Sequence, residues 1–238
     1  MKKVFALTIA VFLLSNTSVF SGDSLKTVSK VTMMMGEGQP ALERFSTSWI
    51  SPKGIRSEYD GGMHFLFRAE DSSFYLLYPE KKEYSKVEAD KIQPFVSMVD
   101  GITGDVTAAG EFTGKTEKVN DWDAKVWKYT MSTTNGWNMS ATTWDSTAYL
   151  WSSVGKKYFE EFLKLQGKRS ELTKQMMKSD GMPLKMVGEM TMAGQKMTYS
   201  FVVTEISEEP IPDSMFEIPA DYKEIPMSQK AYWDAFLF

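Results

Sequence analysis

Residues able to do chemistry are sparse in this chain of 238 residues. His64 is the only histidine, and there is no cysteine. A nucleophile–histidine–acid set needs oriented partners, and a zinc site needs several His, Cys or carboxylate ligands, so His64 reads as strand packing. Glu160-Glu161 and Glu208-Glu209 bring carboxylates together in sequence, as glycoside hydrolysis requires in space. Neighbouring side chains diverge on a helix or a strand, so these pairs describe solvated faces. Met33-Met34-Met35 and the Met190/Met192 pair could offer thioethers to a soft ion such as Cu(I). Methionine also fills irregular or promiscuous apolar surfaces, which accounts for both sets without a metal. The expectation is a non-enzymatic protein with no catalytic residue, no metal and no cofactor.

The elements that would carry these residues are organised around residues 54–87. Asp60-Gly61-Gly62, Glu70-Asp71-Ser72-Ser73 and Pro79 mark turns between short strands, because Gly tolerates positive φ and Asp and Ser bond back to their own backbone. In the middle strand Met63, Phe65 and Phe67 point one way, His64, Leu66 and Arg68 the other. Apolar groups on both faces predict a sheet covered on one side and lining something apolar on the other.

Upstream, strands are expected over 29–35 and 42–50. Downstream, Ile92, Phe95, Val96 and Val99 predict a short helix over 89–99. The Gly- and Thr-rich residues 101–114 read as loop, and strands resume over 115–120, 124–132 and 140–152. Apolar spacing predicts one long helix over 156–178, with Gly167 placed to kink or split it. Clean period-two alternation follows. Met182, Leu184, Met186, Met190 and Met192 share a face, and past a hairpin at 193–196 so do Met197, Tyr199, Phe201 and Val203. A short helical turn is expected at 213–216. No linker or repeat separates a second domain.

Met1-Lys2-Lys3, the apolar run 4–14 and the small residues before Gly22 have the form of a secretory signal peptide, with a cut after Ser21. The remainder, 22–238, is expected to be one exported, soluble, periplasmic domain, long enough for a full core. A formal net charge of −4 with no basic cluster excludes nucleic acid as a partner.

Gly54-Ile55-Arg56-Ser57-Glu58, the run from Tyr75 to Tyr84 and the closing Phe216-Glu217-Ile218-Pro219 resemble the periplasmic lipoprotein-carrier and lipoprotein-sorting superfamily, in its uncharacterised envelope-protein branch. The resemblance implies an α+β, mostly β, fold: an incompletely closed, strongly curved antiparallel sheet, a half-barrel, around one long and one or two short helices. Physical reasoning agrees, since so few helices cannot cover both faces of a two-sided apolar sheet, which leaves a groove. The candidate groove residues are Phe65, Phe67, Tyr75, Leu77, Trp127, Met186, Met190, Met192, Tyr199 and Phe201. The ligand expected is a lipid, an acyl chain or a lipidated protein, with peripheral membrane contact. The alternative is an envelope protein-interaction or structural domain with no small-molecule ligand.

Overall fold

The structure, a computed structural model, describes residues 24–36, 40–60, 62–151, 153–192 and 194–227. The expected signal peptide lies outside the described residues. The chain runs through strands β1 (Leu25–Met34), β2 (Leu42–Ser51), β3 (Gly54–Tyr59), β4 (His64–Arg68), β5 (Ser73–Tyr78) and β6 (Glu83–Val87) into helix α1 (Ala89–Thr103). Strands β7 (Val106–Val119), β8 (Trp122–Thr133) and β9 (Asn138–Leu150) lead to helices α2 (Ser153–Lys164) and α3 (Ser170–Met176). Strands β10 (Gly181–Met192), β11 (Gln195–Ser207) and the two-residue β12 (Lys223–Glu224) complete the described chain.

Among the described residues twelve strands form one sheet in the order β12-β6-β5-β4-β3-β2-β1-β11-β10-β9-β8-β7. Every pairing is antiparallel except β12 with β6. The end strands β7 and β12 do not meet, so the sheet stays open as it curves around the helices. This is the mostly β half-barrel expected from the sequence.

Alternation decides which side chain faces the helices. On β4, Phe65 and Phe67 join the main core, while Leu66 belongs to a separate cluster on the outer face. Tyr158 of α2 sits amid the aromatic part of the core. Its ring lies 5.4 Å from Phe67, 5.4 Å from Phe74 and 5.2 Å from Phe159, all close to edge-on. Edge-to-face geometry sets the positive ring edge against a negative face, and each such pair adds about 0.5–1.5 kcal/mol beyond burial. Val154, Tyr158, Phe159, Phe162 and Leu165 put the apolar stripe of α2 on this side.

The apolar outer face of β2–β6 is not open. Residues 211–222 cross it as a strap, with Phe216 seated on Leu66, Tyr75 and Leu77 and flanked by Trp49, Ile211 and Ile218. The short helical turn expected at Asp213–Phe216 is a 3-10 turn, and it aims Phe216 inward. Arg56 donates to the Met215 carbonyl at 3.2 Å, and Lys53 pairs with Asp213 at 3.3 Å. The two-sided apolarity of the meander therefore reflects two covering layers.

Two other expectations change. Helix α1 continues past Val99 to Thr103, with Gly101 on its exposed side, and 106–119 is a strand rather than a loop. The helix expected over 156–178 is split into α2 and α3 by a 3-10 turn at Gly167–Arg169. Gly167 has φ +58°, and a Cβ there would stand 2.4 Å from the Asp100 carboxylate and 2.6 Å from Val96, both on α1. That close approach requires glycine.

Candidate functional site

The inner face of β8–β11 is built in cross-strand rows. Met131, Met139, Met190 and Met197 stand opposite one another in sequence, forming a row of methionines across four strands. The next row runs Gly110, Tyr129, Ala141, Gly188, Tyr199, Met33. The third runs Phe112, Trp127, Thr143, Met186, Phe201, Val31. Small residues beside each tyrosine let its ring lie flat. A Cβ on Gly110 would meet the Tyr129 ring at 2.6 Å, and one on Gly188 the Tyr199 hydroxyl at 2.3 Å.

Above the second and third rows, under α2 and α3, lies a cavity of about 10 Å³ lined by Tyr129, Thr143, Asp145, Trp151, Phe159, Met176, Met177 and Pro183. That is the room one water needs. Pro183 has no N–H to give the ladder, and the β9–β10 register shifts on both sides of it, opposite Asp145. Trp151 closes one side, its Nε1 donating to the Ser179 carbonyl at 2.7 Å and its ring edge-on to Phe159 at 4.8 Å. Trp151, Met176 and Met177 are only half-buried, so they form the outward wall.

Asp145 is 2% exposed. Burial pushes its carboxyl up to about 7, although the hydroxyls of Ser179 and Thr143 beside it ease ionisation. Burial, and secondarily the Asp145 charge, raises the Tyr129 phenol as well. Yet Asp145 Oδ1, Thr143 Oγ1 and Tyr129 Oη, all fully buried, complete no hydrogen bond of good geometry among the described residues. Three such atoms in residues that line one small void are unusual, because a buried polar atom costs about 1–3 kcal/mol when its hydrogen bond is left unmade.

The ten groove candidates divide into separate places. Phe65 and Phe67 pack beneath Tyr158. Met186, Met190, Tyr199 and Phe201 form the inner wall of β10 and β11, all buried. Trp127 sits half-buried between Phe112 at 5.7 Å and Tyr129 at 6.2 Å. Tyr75 and Leu77 lie on the outer face beneath Phe216. Met192 ends β10, and its side chain lies outside the described residues. The sequence reading passed over Asp145, whose signal was parity: Met139, Ala141, Thr143 and Asp145 share the buried face of β9.

His64 lies on the outer face with Arg56 and Glu58. Arg56 Nη2 stands 3.0 Å from His64 Nδ1 and 3.0 Å from Glu58 Oε1, and His64 Nδ1 lies 3.2 Å from the same carboxylate oxygen. Since Arg56 can only donate, Nδ1 accepts from it and the neutral ring carries its proton on Nε2. Burial lowers the pKa of His64; Glu58 opposes that shift and Arg56 adds to it. Met33 faces the core and Met34 is exposed. Among the described residues no group of three or more His, Cys, Asp or Glu is placed to hold a metal, and no helix is long and apolar enough to cross a membrane.

No curated protein matches the chain. Among solved structures, PNGF-II aligns with 90% of this chain at 9% identity and a TM-score of 0.43, the chain spanning 33% of that protein. A LolA-superfamily protein of Nitrosomonas europaea aligns with 89% of this chain and 98% of its own, at 10% identity and a TM-score of 0.35. A DUF1329-family protein of Desulfovibrio piger aligns with 90% and 96%, at 10% identity and a TM-score of 0.34. Residues 30–222, which include the rows, the cavity and the strap, match the family described as Domain of unknown function (DUF4412), and the chain belongs to that family.

Proposed function

We propose that this protein is a non-enzymatic periplasmic carrier-like module, working as one domain from residue 22 onward, that holds an apolar ligand between the inner wall of β8–β11 and helices α2–α3. The ligand class is a lipid, an acyl chain or a lipidated protein. The observation that carries the reading is the methionine row Met131-Met139-Met190-Met197, on the same inner wall that further along bounds a cavity roofed by Met176 and Met177 at the end of the seven-residue α3. Unbranched thioether side chains repack around varied shapes, and apolar transfer of about 0.8 kcal/mol per CH₂ needs no directional partner. The described cavity is far smaller than an acyl chain, so loading requires α3 to move off the wall. A helix of seven residues has little stability of its own and is held by its packing through Leu172 and Thr173, so its displacement is the step that loading must drive.

The test is native mass spectrometry of protein purified gently from its own compartment, followed by solvent extraction and by uptake of a fluorescent fatty acid. A co-purifying lipid or acylated species, or saturable uptake, is the expected result. An empty protein that takes up no probe would overturn the reading. It would favour the envelope interaction domain, to which the exposed Met34, Met35, Leu42 and Phe45 around the β1–β2 hairpin also point.

A further inference from the structure

Resting on that reading, we propose that the cavity under Trp151 is a head-group site for a primary ammonium, with Asp145, Thr143 and Tyr129 as its three acceptors. The argument begins from the count of polar atoms. Asp145 Oδ1, Thr143 Oγ1 and Tyr129 Oη are buried in residues that line the same void; the Thr143 hydroxyl lies beside both of the other groups, but none of the three atoms completes a hydrogen bond of good geometry among the described residues. An ammonium has three N–H donors and no acceptor, so it satisfies all three oxygens at once. An alcohol brings a single donor. A carboxylate brings none and sets a second negative charge against Asp145.

Charge and shape agree with the count. Among the described residues no basic side chain lines the cavity, so none there pairs with Asp145. A buried carboxylate without a cation is costly, and an entering ammonium neutralises it inside a low-dielectric wall. The space, about 10 Å³, accepts one heavy atom and no phosphate or carboxylate. Trp151 and Phe159, packed edge-to-face on each other, line it beside these groups. Beyond the head, Met176 and Met177 give an alkyl chain an apolar exit toward the half-buried surface.

The experiment is isothermal titration of the full chain, processed as it is in the cell, with octylamine, octan-1-ol and octanoate at pH 8. Wild type, Asp145→Asn and Thr143→Val are compared, and a thermal melt checks that each variant is folded. The expected result is octylamine binding about tenfold or more tighter than the other two, as a recovered buried charge pair implies. Asp145→Asn should bring the three probes to within about twofold of one another, and Thr143→Val should weaken only the amine, by about threefold, for one lost hydrogen bond. Three probes binding wild type alike would overturn the head-group site and leave the apolar-ligand reading standing. An amine preference that survives in folded Asp145→Asn would do the same. No binding by any probe would overturn both.

Discussion

Gly188 and Tyr199 face each other across β10 and β11, and a methyl on Gly188 would stand 2.3 Å from the tyrosine hydroxyl and 2.5 Å from the Ser140 carbonyl oxygen. The glycine is therefore a seat for the ring, and the ring keeps the inner wall smooth beside the methionine row. Gly188→Ala should lower stability by about 1–3 kcal/mol through overpacking. Urea unfolding measures it, and a loss under about 0.5 kcal/mol would show that the ring swings away freely.

Asp145 gives stability a pH dependence of defined sign. Its folded-state pKa, about 7, lies well above the ordinary aspartate range, so near neutral pH the folded protein holds a proton that the unfolded chain has released. That contribution is complete below about pH 4 and is lost as pH rises through about 7. Asp145→Asn should abolish the decline and raise stability at pH 8, by at most about 4 kcal/mol. Parallel pH profiles for wild type and variant would contradict the buried, protonated carboxyl.

His64 works in the opposite direction. Its pKa is lowered in the fold, so the unfolded chain binds a proton more readily below about pH 6.5, and stability falls as pH drops through that range. Protonation also sets a cation against Arg56, which holds the Met215 carbonyl of the strap. At pH 5 amide exchange in 211–222 should quicken, and His64→Gln should suppress the change. Equal exchange at pH 5 and pH 7 in wild type would count against the coupling.

Phe216 is 3% exposed and seals the outer face. Phe216→Ala should cost about 3–5 kcal/mol and expose Leu66, Tyr75 and Leu77. Limited proteolysis should then cut within 211–222 before the β1–β11 region. Simultaneous cleavage everywhere would mean that strap and sheet unfold as one unit.

Much of this architecture was legible in the residues. β10 and β11 announced themselves because one face is buried and the other solvated, which forces period two. β7 was hidden because Gly110 and Gly114 look like loop residues, whereas Gly110 is flat so that Tyr129 can lie on it. α1 was cut short at Gly101, a glycine whose cost of about 1 kcal/mol is offset by Val99 and Thr103 on the buried side. Tyr75 and Leu77 were assigned to the groove because nothing local shows that Phe216, some 140 positions later, covers them. Asp145 was visible only as a charged residue on the buried parity of a strand.

The sheet order also governs how the chain can assemble. β1, the earliest described strand, lies in the middle of the sheet, and one of its two edges is completed by β11, where Lys26 meets Ser207. Until residues 195–207 arrive, β1 keeps a bare edge and the two halves of the sheet cannot join. Loop closure over that span costs entropy before any contact rewards it, so the closing step is slow and set by the C-terminal hairpin. A chain truncated before residue 195 has two unjoined half-sheets with open flanks, the form in which strands pair with neighbouring molecules.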